Sequence, residues 1–160
     1  MTHEEFVVHI RETYARLFDP DTSEETWSLF LTADTGWNGL IEEYLRRVEM
    51  FLSKRGLISK VYVRQIKEKW GGLRCYLRTT NDFRLSAEAT AALGGIYHEI
   101  AERAYHTCDV CGGTGRLMSI NGTYLTRCND HIADGRFATG CRGPGRSGLR
   151  YNYAASVEDN

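Results

Sequence analysis

No run of apolar residues in this chain of 160 residues approaches the roughly 20 that a helix needs to cross a bilayer, which argues against a membrane span. A secretory leader is not expected either. The opening stretch MTHEEFVVHIRETY is acidic and amphipathic, whereas a leader is basic and then apolar. A disulfide framework is disfavoured by an odd count of five cysteines. Three of them fall at metal-ligand spacing, and Cys75 and Cys141 stand alone. That usage suits a reducing compartment, so the expected location is the cytoplasm. No internal repeat is found, and the length fits a single domain able to bury a core without staples.

A strong overall field is lacking too, because the formal net charge is −1. The balance hides an asymmetry. Residues 1–53 carry −7, residues 54–80 carry +7, residues 81–134 carry −3 and residues 135–160 carry +2. The middle of the chain is a concentrated positive segment in search of an anionic partner.

Hydrophobic periodicity predicts an α+β fold. Phe6, Val7, Ile10, Tyr14, Leu17 and Phe18 recur at helical spacing over 4–18, and Asp19-Pro20-Asp21 stops the pattern. Ser23 is a candidate cap for a short helix carrying Trp27, Phe30 and Leu31. Residues 38–55 carry one apolar stripe, Leu40, Ile41, Tyr44, Leu45, Val48, Phe51 and Leu52, with Gly56 placed for a left-handed C-terminal cap. The period then changes to two over 60–69 and 73–79, around Gly71-Gly72, which predicts a tight hairpin. Residues 85–105 return to helix, with Gly94-Gly95 in the middle as a candidate kink or close backbone contact.

The segment that follows carries the sharpest chemistry. Cys108 and Cys111 are separated by two residues, as are Cys128 and His131. Two such knuckles supply the four ligands of a tetrahedral zinc ion. With every position filled by protein, the site is expected to be structural, since a catalytic zinc keeps one position open. His106 and Cys141 are weaker alternative ligands. Between the knuckles, 116–120 and 123–127 are candidate strands joined by Asn121-Gly122, which completes a zinc ribbon over 106–134 within a domain spanning 1–134. Beyond it, 135–160 is a Gly/Arg-rich tail. Its Arg136, Arg142, Arg146 and Arg150 suit an arm that tracks phosphates, although a plain disordered tail is the commoner outcome.

The hairpin holds the positive segment. A two-residue Gly71-Gly72 turn gathers Tyr62, Ile66, Trp70, Leu73, Cys75 and Leu77 on a core face. It leaves Gln65, Lys67, Lys69, Arg74, Tyr76 and Arg78 on the other. A register slipped by one turns Tyr62, Arg64, Glu68, Arg74, Tyr76 and Arg78 outward instead. Cations around a tyrosine suit a phosphate with a stacked base, so Lys67, Lys69, Arg74, Tyr76 and Arg78 are the candidate ligand-binding residues. Two bland readings compete: a charged face that protects a sheet edge, and docking of the cations against the acidic N-terminal helices.

The run from Gln65 to Tyr76, QIKEKWGGLRCY, followed by a helix, Cys-x-x-Cys-Gly and Cys-x-x-His, resembles a family of small, mostly uncharacterised phage and prophage proteins. There the run commonly reads QIKEKFGGLRFY. Trp70 and Cys75 depart from that pattern. The resemblance spans roughly 36–131 and implies a phage origin, hence a host-cell cytoplasm, and a zinc-bearing C-terminal part. It supplies no activity. The expectation is a non-enzymatic, zinc-stabilised protein that holds a nucleic acid or a nucleotide signal, acting against a host defence system. One rival is an inhibitor or adaptor that acts on a host protein through its acidic N-terminal helices. The other is a metal-dependent nuclease or nucleotide hydrolase, for which no catalytic constellation is evident.

Overall fold

The computed structural model describes residues 1–120 and 122–132. Helix α1, His3–Thr13, begins with a capping box in which Thr2 accepts the Glu5 N–H while the Glu5 carboxylate accepts the Thr2 N–H. The helix ends earlier than the apolar pattern predicts. A 3₁₀ turn at Ala15–Leu17 follows, and it delivers Leu17 and Phe18 into the core. There Phe18 meets Trp27 and Phe30 edge-on, with ring centroids 5.0 and 5.2 Å apart. Helix α2, Glu24–Phe30, is capped by Ser23, which accepts the Thr26 N–H. It leads into a two-residue strand β1, Leu31–Thr32, too short to leave a periodic signal in the sequence.

Helix α3, Asn38–Lys54, buries Leu40, Ile41, Tyr44, Leu45, Val48 and Leu52 as its stripe requires. It ends at Gly56, whose φ is +64°, with the Leu57 N–H bonded to the Leu52 carbonyl at 2.8 Å. That closing bond is how a left-handed residue satisfies the last carbonyls of a helix. Helix α4, Ala87–Ala104, is capped by Ser86 and buries Ala89, Leu93, Tyr97, Ile100, Ala101 and Ala104. Gly94 and Gly95 lie inside it without interrupting it. Nothing lies within 4 Å of where a Gly95 side chain would begin, so no close backbone contact explains that glycine.

Strands β2, Val61–Lys69, and β3, Gly72–Thr79, form the expected hairpin. The short β1 adds to β2 in parallel, with Leu31 opposite Ile66. Two details correct the sequence reading. The turn is Trp70-Gly71, because Lys69 pairs with Gly72, and both turn residues have positive φ, 56° and 70°. In addition, a bulge at Arg64 interrupts the ladder between Val63 and Gln65. One extra residue reverses the facing of everything before it. Val61 and Val63 therefore join Ile66, Leu73, Cys75 and Leu77 in the core, and Tyr62 turns to the opposite face. Trp70, expected in the core, sits at the tip and is 61% exposed.

Helices α3 and α4 pack together and α4 packs on β3, so Tyr44 and Tyr97 share one hydrophobic cluster with the inner face of the hairpin. Burial pushes the Cys75 thiol in this cluster well above its ordinary range, which leaves it an inert packing group. The last described elements are β4, Arg116–Ile120, and β5, Thr123–Arg127, paired antiparallel as a separate two-stranded sheet. A 3₁₀ turn at Asn129–His131 follows. Residue Asn121 of the predicted turn, and the whole tail with Cys141, Arg136, Arg142, Arg146 and Arg150, lie outside the described residues.

The cysteine-bearing segment is joined to the helical body by backbone contact. The Gly36 N–H donates to the Asp109 carbonyl at 2.8 Å, and the buried Trp37 indole donates to the Thr107 carbonyl at 2.8 Å. A Cβ on Gly36 would meet the Cys108 carbonyl at 2.3 Å, so only glycine fits there without a shift of backbone. Gly36→Ala is expected to cost about 1–3 kcal/mol of stability, the usual penalty of forced overpacking, measured by equilibrium urea unfolding. An unchanged midpoint would contradict this close approach.

Candidate metal centre and basic hairpin face

Two chain reversals build the ligand cluster. At the first, Cys108 and Cys111 lie either side of a tight turn closed by the Gly112 N–H bonding the Cys108 carbonyl at 2.9 Å. Gly112 has φ +75° and packs against the Gly36 carbonyl, which ties the turn to the start of α3. The Gly113 N–H points at the Cys111 sulfur, 3.4 Å away. At the second, β5 ends at Arg127, and the 3₁₀ turn after Cys128 brings His131 back beside it.

The ligand atoms of Cys108, Cys111, Cys128 and His131 all lie within 4.8 Å of one another. Cys108 Sγ is 3.7 Å from His131 Nδ1, Cys111 Sγ is 3.8 Å from Cys128 Sγ, and Cys128 Sγ is 3.1 Å from His131 Nδ1. A tetrahedral ion with bonds of about 2.3 Å to sulfur separates its ligands by roughly 3.8 Å, so most of these edges match one metal ion. The four groups can therefore hold a metal, with no position left over in a tetrahedral shell. Among the described residues this is the one such group of three or more His, Cys, Asp and Glu side chains. His106 is not part of it.

The local field favours a thiolate at Cys108 and disfavours one at Cys128, which burial and the neighbouring Cys108 and Cys111 thiols push up. Burial alone would raise the Cys108 thiol, but N–H groups of Cys111, Cys128 and Val110 aimed at the sulfur outweigh it and bring it down to about 6. Behind the cluster, buried Asp109 accepts from Arg127 Nε at 3.1 Å, and Arg127 Nη1 reaches the His131 carbonyl at 3.3 Å. Burial raises the Asp109 carboxyl, and the Arg127 charge opposes that rise. Arg127 thus ties the first knuckle to the second.

The same module grips the hairpin tip. Buried Thr126 donates its hydroxyl to the Gly71 carbonyl at 2.6 Å, while the Gly71 N–H donates to Glu68 Oε1 at 2.5 Å. A Cβ on Gly71 would strike Leu117 at 2.3 Å. The Trp70-Gly71 turn is pinned from both sides as a result. A bulky aromatic in the left-handed region costs about 1–2 kcal/mol, and turns of this type favour Asn-Gly.

The outer face of the hairpin collects Tyr62, Gln65, Lys67, Lys69, Arg74, Tyr76 and Arg78. Lys67 stands directly opposite Arg74, Gln65 opposite Tyr76 and Tyr62 opposite Arg78. All five expected ligand-binding residues share this face, but their surroundings differ. Arg78 is paired with Asp19 of the N-terminal segment and lies over the Tyr62 ring, so the expected docking against acidic residues occurs at Arg78. Arg74 Nη2 donates to the Tyr105 hydroxyl at 3.2 Å, just beyond α4. Lys67 Nζ sits 5.1 Å from the Tyr76 ring centroid, and Lys69 Nζ 4.9 Å from that of Trp70. Periodicity missed Tyr105 and Trp70. Turn propensity pointed away from Trp70, because Gly71-Gly72 suits two positive φ values better than Trp70-Gly71 does.

Removing bound metal with a chelator should release amide protection first at Asp109, whose N–H bonds the Thr126 carbonyl, and along β4 and β5. Amides in the middle of α3 should stay protected. Hydrogen exchange followed by mass spectrometry reads both, and uniform loss over the whole chain would refute the local coupling. No protein-family model, no curated protein and no solved structure matches this chain.

Proposed function

We propose that the chain is a non-enzymatic binding protein in which a structural zinc ion holds the hairpin in place while its outer face takes a phosphate-bearing ligand. The observation that carries the reading is the pairing of Lys67 directly opposite Arg74, one step from Lys69, on the same face as Tyr76. Like charges directly opposite on a sheet are unfavourable. An anion between them turns that cost into binding free energy, and an adjacent aromatic ring offers a base its stacking surface.

Zinc is the metal we infer, because three thiolates and one imidazole in a closed tetrahedron are its preferred structural donors. Bound there, zinc would supply folding free energy and no chemistry. That supports binding over hydrolysis. The inhibitor reading is weakened by the acidic helices themselves. Glu24, Glu42, Glu49 and Glu43 are engaged by Arg11, His9, Arg16 and Arg103 of the same chain, so fewer carboxylates remain to imitate an anionic partner. The buried thiol of Cys75 and the zinc thiolates suit a reducing cytoplasm. If the sequence resemblance to phage proteins holds, that cytoplasm would be that of an infected cell, where a captured nucleic acid or nucleotide signal of a defence pathway would be the target.

Elemental analysis of freshly purified protein should find zinc in a one-to-one ratio with the chain. Lys67→Ala combined with Lys69→Ala should weaken oligonucleotide binding and lower the slope of log affinity against log salt by roughly 1.4, the loss of two phosphate contacts. An unchanged slope would remove the hairpin face from the reading. Arg78→Ala should behave differently. It should cost about 1 kcal/mol of stability by freeing Asp19 and leave the salt slope of binding as it was, which fluorescence titration across a salt series would check.

A further inference from the structure

Of the three tryptophans in the chain, Trp27 and Trp37 are 8% and 0% exposed, whereas Trp70 is 61% exposed. Trp70 also occupies a place where the fold does not want it. Its φ of +56° belongs to glycine or asparagine, and the residue beside it, Gly71, already supplies half of an ideal turn. Packing does not account for the indole, which is not buried. The turn that presents it is rigid. Gly71 is held by Glu68 on its N–H and by Thr126 on its carbonyl, and Leu117 and Leu125 fill the space a Cβ on Gly71 would take. Lys69 lies over the ring of Trp70, and Lys67 lies over the ring of Tyr76. Two aromatic surfaces, each with its own ammonium, are therefore set along one strand and its tip.

We propose that Trp70 is a stacking platform for an unpaired base, and that the ligand of the hairpin face is single-stranded nucleic acid running from Tyr76 to the tip. This rests on the phosphate-binding reading above and narrows it. A duplex keeps its bases stacked on one another and offers no free face to an indole. A lone nucleotide calls for a concave site that encloses most of it, and a hairpin tip encloses nothing. The cavity found on α4, lined by Ala87, Thr90, Ala91, Gly94, Gly95 and His98, is on a different element. A protein partner fits less well, because lysines are depleted from the centres of protein interfaces, while here each ring carries one. Alternating cations and rings on a fixed strand suit a backbone of phosphates with bases turned aside. The strained tryptophan is then retained for binding at the expense of the turn.

The test uses the full zinc-loaded chain and a fluorescently labelled 12-nucleotide oligothymidylate, with the same sequence as a duplex and thymidine monophosphate as competitors. The oligonucleotide should bind, should quench tryptophan fluorescence and should shield Trp70 from iodide. Trp70→Asn, which creates an Asn-Gly turn, should raise the melting temperature or leave it unchanged, weaken binding about 10-fold and keep the salt slope. Trp70→Phe should recover most of the affinity, since a phenyl ring still stacks. Wild-type affinity in a folded Trp70→Asn protein, with an intact salt slope, would overturn this inference and leave the phosphate-binding reading standing. Equal competition by the duplex or by thymidine monophosphate would overturn it in favour of those ligands. No binding of any nucleic acid or nucleotide would overturn both readings. Shielding of Trp70 by a host protein alone would then assign the indole to a protein contact.

Discussion

The structure depends on close contact between the cysteine-bearing segment and two glycines elsewhere in the fold, Gly36 just before α3 and Gly71 in the hairpin turn. Gly36 lies against the carbonyls of Cys108 and Asp109, and Gly71 lies against Leu117 and Leu125 while its carbonyl accepts the Thr126 hydroxyl. Contacts this close leave no room for a side chain, and they satisfy polar groups that burial would otherwise leave unpaired. They also make the metal cluster part of the body. The first knuckle is built on the loop that starts α3, and the β4–β5 ribbon is built against the hairpin tip. A metal ion in that cluster would close the stretch of chain between Cys111 and Cys128, which includes Thr126, the residue that holds the hairpin tip.

The charges divide along a similar line. Ion pairs among the described residues engage Arg11, Arg16, Arg47, Arg55, Arg78, Arg103 and Arg127 with carboxylates of the same chain. Lys67 and Lys69 instead sit above aromatic rings on the outer face of the hairpin. The guanidinium fork is suited to fixed, bidentate pairing with a carboxylate, and the ammonium is a mobile point charge on a flexible stem. Internal pairing by arginine and outward display by lysine give one chain both a held-together body and a face open to anions. The concentrated positive segment of the sequence is thus split in three dimensions: Arg78 serves the fold, while Lys67 and Lys69 face outward.

Much of this could be read from residue order, because it is local. The stripe from Leu40 to Leu52 specified α3, Gly56 specified its end, and Ser86 capped α4. Two Cys/His pairs at two-residue spacing named the four side chains that cluster as a candidate metal site, since such a knuckle is made within one turn of chain. What could not be read is equally particular. The bulge at Arg64 leaves no mark in composition, yet it exchanged the facing of Tyr62 with that of Val61 and Val63. A shift of the turn by one residue took Trp70 out of the core and put it on the surface. The pairing of Arg78 with Asp19 joins residues 59 positions apart, and no local pattern encodes such a pair.

By itself, then, residue order determined the helices, the existence of the hairpin and the four candidate metal-holding side chains, because periodicity, capping and ligand spacing act over a few residues of chain. Only the tertiary structure decided the hairpin register, the exposure of Trp70, and which cations are spent on carboxylates. Those depend on distant backbones meeting: Thr126 on Gly71 sets where the hairpin turns, and Asp19 reaching Arg78 sets which charge is neutralised. The physical reason is that a register is a choice among locally similar pairings, and long-range contacts break the tie.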